Sequence, residues 1–73
     1  MPKYETINSR LAKRLRFTRQ DLDLKQKDVA TALQKTSDFV SMTELDKRSI
    51  TVEDIVEFSR LYKKPIIYFF QDL

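Results

Sequence analysis

The 73-residue chain contains no cysteine, no histidine and no glycine, and only two prolines. Without cysteine there is no disulfide and no thiolate metal site. Without histidine the commonest metal ligand and general base is missing as well, so catalysis starts from a poor position. The lack of glycine removes the residue that tight hairpin turns prefer, which leaves helices as the natural reading. No apolar run approaches the roughly 18 to 20 residues of a membrane span, and the opening MPKYETINSR lacks the apolar stretch of a signal peptide. A soluble, intracellular protein is the expectation.

Apolar residues make up 41% of the chain and charged residues 34%, a globular composition. The length allows one domain over residues 1–73, with a core so small that dimerisation would help it. The net charge of +3 is unevenly spread. Residues 1–20 hold six Lys/Arg against Glu5, whereas residues 21–73 carry a small acidic excess, so the basic patch is local.

Apolar periodicity predicts five helices. The first, about Asn8 to Leu22, sets Leu11, Leu15, Thr18 and Leu22 on one face and a run of arginines and Lys13 on the rest, with Asp23 as its left-handed end. The second, about Gln26 to Leu33, turns Val29, Ala30 and Leu33 inward. After the Gln34-Lys35-Thr36 connection a third runs to about Leu45, capped by Thr36 or Ser37, with Val40 and Thr43 inward. Asp46 to Ser49 is a charged, exposed stretch. Thr51 with Asp54 three residues on resembles a capping box for a fourth helix, whose apolar face is Val52, Ile55, Phe58, Leu61 and Tyr62. Pro65 suits the first position of a short fifth helix, from which Ile66, Phe69 and Phe70 can reach the core.

The second and third helices, joined by three residues with small Ala30 at their crossing, have the spacing of a helix-turn-helix. From Leu11 to Phe70 the sequence resembles the phage repressor/Cro (XRE-type) DNA-binding domain, leaving residues 1–7 as a short N-terminal extension. The landmarks are Arg14 and Arg19, Leu24 and Gln26, Val29-Ala30, Leu33, Val40, Glu44, Arg48, Ile55, Phe58 and the closing Tyr68-Phe69-Phe70. The pattern also departs from the family: Asp23, Gln34 and Asp46 stand where glycine is usual, Ile50 where proline is frequent, and Thr18 and Thr43 where larger apolar residues are usual.

That resemblance implies an all-α, five-helix, lambda-repressor-like fold and a duplex-DNA-binding transcriptional regulator of bacterial or phage origin, cytoplasmic and without a cofactor. Ser37, Asp38, Ser41 and Met42 match positions that face base edges in the major groove. Gln26 matches a phosphate-binding position, and Arg19 and Glu44 match a buried ion pair. Lys25, Lys27, Lys35, Lys47 and Arg48 flank the third helix and suit phosphate contact. Asp38 reads a base or caps its helix. Phe39 folds over the core, stays exposed or touches DNA. The apolar Ile66 to Phe70 segment points to a homodimer on two half-sites about 34 Å apart. The alternative is a protein-interaction adaptor that keeps the fold without reading DNA. An enzyme is the most distant reading, because the adjacent Glu53-Asp54 pair fits a helix N-terminus better than a catalytic dyad.

Overall fold

The computed structural model describes residues 5–71, so residues 1–4 of the expected N-terminal extension and the last two of the expected 1–73 domain lie outside it. Five helices and no strand occur among the described residues: α1 (Ile7–Asp21), α2 (Gln26–Leu33), α3 (Ser37–Glu44), α4 (Val52–Tyr62) and α5 (Ile66–Phe70). Helix α1 packs against α3, α4 and α5, α2 packs against α3 and α4, and α5 closes on α4.

Three helices begin in the same way. The hydroxyls of Thr6, Thr36 and Thr51 accept the N–H of Ser9, Phe39 and Asp54 at 3.0, 3.1 and 3.0 Å. Each such cap is worth about 1 kcal/mol, because it satisfies an N–H that the helix itself leaves unpaired. Thr36 is therefore the α3 cap, and Asp38 lies two residues inside the helix.

Four helices also end alike. Asp23, Gln34, Asp46 and Lys63 take the left-handed conformation with φ between 56° and 59°. The next residue in each case donates its N–H five residues back: Leu24 to Arg19, Lys35 to Ala30, Lys47 to Met42 and Lys64 to Ser59, at 2.8–3.1 Å. This closure is most often made with glycine, whose missing Cβ removes the left-handed penalty. The chain makes it four times without one. Lys63 had no sequence signal beyond its place before Pro65.

The core gathers Leu11 and Leu15 from α1, Val29 and Ala30 from α2, Val40 from α3, Ile55, Phe58 and Tyr62 from α4, and Phe69 from α5. Thr18 and Thr43 are buried in it, each hydroxyl donating to the carbonyl four residues back, Arg14 and Phe39, at 2.7 Å. Phe39 and Leu33 are half-buried against this core.

Several expected core positions turn out to be exposed. Val52 is 80% exposed, because it is the first residue of α4 and overhangs a core that begins one turn later at Ile55. Leu22 is 42% exposed, since α1 stops at Asp21 and Leu22 is its cap. On α5, Phe69 is buried while Ile66 and Phe70 are 46% and 42% exposed; five residues make little more than one turn, which aims one large side chain fully inward. Pro65 precedes the helix instead of opening it.

Replacing Gln34 or Lys63 by glycine is expected to stabilise the fold. Relief of a left-handed penalty of about 1 to 2 kcal/mol outweighs glycine's greater entropy in the unfolded chain, about 0.5 to 1 kcal/mol. The net gain corresponds to a rise in Tm of about 2 to 8 °C for a domain of this size, readable by calorimetry.

Candidate nucleic-acid interface

The α2–α3 pair is tied together from behind by one carboxylate. Glu44, at the end of α3, is 5% exposed. It accepts Nε of Arg19 at 2.7 Å, Nη2 of the same guanidinium at 3.1 Å, and Nε2 of Gln26 at 3.1 Å. Arg19 Nη1 donates in turn to the Leu24 carbonyl at 2.8 Å, which holds the α1–α2 connection. The hydrogen bond to Glu44 raises the Arg19 pKa further, so its charge is permanent. Behind the pair lies the Tyr62 hydroxyl, pushed up first by burial and then by the Glu44 charge.

With Val40, Thr43 and Glu44 committed to the interior, the outer side of α3 is left for solvent. Ser37 and Asp38 are exposed, Met42 is 44% exposed and Ser41 half-buried. Their spacing of one, three and one residues puts all four on one stripe of the helix. Lysines occupy the neighbouring segments. Lys35 lies in the turn before α3, Lys47 in the connection after it, and Lys25 and Lys27 at the start of α2, all exposed. Gln26, between the last two, is half-buried with its amide N–H on Glu44. Among the described residues Asp38 makes no hydrogen bond or ion pair, so the exposed acid of α3 is uncommitted, whereas the acid of Glu44 is neutralised within the fold.

Arg48 differs from its sequence reading as a surface cation in an exposed stretch. It is half-buried, with Nη1 2.8 Å from Asp54 Oδ2 and 3.2 Å from the Thr43 hydroxyl. Its guanidinium carbon sits 4.4 Å from the centre of the Phe39 ring. Phe39 thus covers the core on one side and carries Arg48 on the other, while Lys35 approaches the same ring at 5.4 Å. Asp54 is 8% exposed. Burial works to raise its pKa, but the Thr51 N–H, the Arg48 guanidinium and the Thr51 hydroxyl together outweigh it and hold the carboxyl below its usual value.

Sequence reasoning missed Asn8. From the first turn of α1 its amide donates to Asp46 Oδ1 at 2.5 Å and to the Arg48 carbonyl at 3.1 Å, and its oxygen accepts the Ile50 N–H at 2.7 Å. An asparagine 38 to 42 residues away from its partners leaves no local signal. Among the described residues no three His, Cys, Asp or Glu side chains converge as a metal site would require.

This architecture recurs in solved proteins. The clp gene regulator ClgR from C. glutamicum superposes with a TM-score of 0.87 at 15% identity, over 92% of this chain and 87% of that one. The DNA-binding domain of BldD does so at 0.79 and 22% identity, over 92% and 97%. The restriction-modification controller protein C.AhdI from Aeromonas hydrophila does so at 0.77 and 18%, over 84% and 92%. The chain shares its five-helix fold with these proteins. By sequence it matches no family model and no curated protein.

Within this fold the Arg19–Glu44 pair ties α1 to α3, and Gln26 joins α2 to the same carboxylate. Removing one partner leaves a charge in the interior without its counter-ion. Arg19→Ala and Glu44→Ala are each expected to lower stability by about 3 to 5 kcal/mol, measured by urea unfolding near neutral pH.

Proposed function

We propose that the chain is a sequence-specific duplex-DNA-binding transcriptional regulator whose α3 lies in the major groove, a binding protein and not an enzyme. The observation that carries this reading is the uncommitted stripe Ser37, Asp38, Ser41 and Met42 on the second helix of a helix-turn-helix, with Lys25, Lys27, Lys35 and Lys47 exposed at the start of α2 and on the connections either side of α3. The second helix of such a pair is the one that enters the groove in DNA-binding proteins of this design. The likeness of fold to a gene regulator, a controller protein and a DNA-binding domain supports it.

Two kinds of residue then divide the work. The lysines and the second amide N–H of Gln26 meet phosphates, which sets position and affinity but carries no sequence information. The stripe reads bases: serine hydroxyls donate or accept, Met42 meets a thymine methyl, and Asp38 accepts from cytosine N4 while repelling guanine N7 and O6. No cofactor enters, and the site of action is inside the cell that holds the DNA. No helix among the described residues is long and apolar enough to cross a membrane.

Selection of bound sites from random duplex DNA, followed by salt titration on the best site, tests the proposal. Affinity should fall steeply with salt, and Lys47→Ala should shallow the log–log slope by about one unit without changing the selected sequence. Asp38→Asn should redirect preference at one base position by about 1 to 3 kcal/mol. Negligible binding at every salt concentration would overturn the DNA reading in favour of a protein adaptor.

The same reading includes a homodimer through the C-terminal segment, supported by Ile66, Ile67 and Phe70, which are 46%, 66% and 42% exposed on and around α5. Covering them with a second copy would add apolar burial that one short helix cannot find on its own domain. Sedimentation equilibrium should show a dimer at micromolar concentration that Ile67→Asp converts to a monomer. A wild-type monomer at high micromolar concentration, with and without DNA, would refute it.

A further inference from the structure

The connection between α3 and α4, residues 46–50, is held from both sides. Asn8 on α1 grips its backbone at the Arg48 carbonyl and the Ile50 N–H, and its amide also holds the Asp46 side chain at the helix end. Asp54 on α4 grips the Arg48 side chain, which in turn stacks on Phe39 and bonds Thr43, both on α3. The loop's own backbone adds a third tie, from the Lys47 N–H to the Met42 carbonyl at 2.8 Å. Between these anchors stands Lys47, exposed and without a partner among the described residues.

A half-buried cation whose charge is answered by a carboxylate at 2.8 Å and whose guanidinium carbon sits 4.4 Å from the centre of an aromatic ring is poorly placed to serve a phosphate as well. Drawing Nη1 away to a phosphate would leave Asp54, which is 8% exposed, without its counter-ion. Asn8 has no charge to offer, yet it spends its amide on the loop that flanks the reading helix. The two side chains act on the same five residues from opposite ends.

We infer that Arg48 and Asn8 are positioning residues of the DNA interface: they hold the 46–50 loop rigid, so that Lys47 meets the backbone in fixed register with the stripe on α3, and neither touches DNA. The inference rests on the DNA-binding reading above. It also separates Arg48 from the lysines, which the sequence alone groups with it as flanking cations. Its energetic basis is preorganisation, since a loop already ordered in the free protein loses less freedom on binding.

The experiment uses the full chain and the duplex selected for it, at a temperature where each variant remains folded by circular dichroism. Asn8→Ala should weaken binding about tenfold, the equivalent of ordering roughly one backbone residue on binding, and in the free protein should speed amide exchange at Ile50. In a Lys47→Ala background Asn8→Ala should cost little more, because its effect travels through Lys47. Arg48→Lys keeps the charge but loses the guanidinium that meets Asp54 and Thr43 together and lies over Phe39, and should weaken binding by a similar factor. Arg48→Lys binding like wild type, or additive effects of Asn8→Ala and Lys47→Ala, would overturn the positioning role while leaving DNA binding intact. Absence of salt-dependent binding by the wild type would instead overturn the DNA reading and, with it, this inference.

Discussion

Taking a carboxylate out of water costs several kcal/mol unless its oxygens find donors, and Glu44 is 5% exposed. Three N–H groups meet it, two from Arg19 and one from Gln26, and they come from different helices. The requirement is geometric as much as energetic. For all three bonds to form, the last turn of α1, the first residue of α2 and the last residue of α3 have to be at fixed distances and angles. In a core built around Phe58, Tyr62 and Phe69, non-directional apolar burial leaves room for helices to slide. A forked guanidinium on a carboxylate does not. The orientation of α3, and so the direction in which its outer stripe points, depends on this contact.

The second constraint is the closing of helices without glycine. Four left-handed residues with a Cβ each add strain, and the chain tolerates them because each is followed by a hydrogen bond that returns five residues to the helix it ends. Two of these positions, Gln34 and Asp46, bracket α3. They shorten the connections on either side, so that Lys35 and Lys47 stand at the two ends of the helix and not out along loose loops. Strain in the backbone and placement of charge are thus one arrangement.

The acids of the α3 region are sorted by environment. Glu44 is neutralised inside, Asp46 is held by Asn8, and Asp54 accepts from Arg48 and the Thr51 backbone. Asp38 alone among them is left exposed and unpaired. On the proposed DNA reading this lone acid opposes non-specific attraction and discriminates among base edges, accepting from some and repelling others.

What the sequence determined by itself is what arises within a turn or two of the chain. Apolar residues at helical spacing marked all five helices. The Thr36 and Thr51 caps lie three residues from the N–H groups they satisfy, and Asp23 signalled a helix end through its own conformational tolerance. The link between Arg19 and Glu44 was legible solely by resemblance to a known pattern, because nothing local joins two residues 25 apart. The tertiary structure decided the rest. It exposed Val52, Leu22, Ile66 and Phe70, because burial depends on whether a neighbouring helix reaches that far, and periodicity records the direction of a side chain but not what lies opposite. It turned Arg48 inward, because Phe39 and Asp54 converge on it from separate helices, and it gave Asn8 partners some forty residues away. A residue type fixes which contacts are chemically possible, and the fold chooses among them by bringing distant groups within reach.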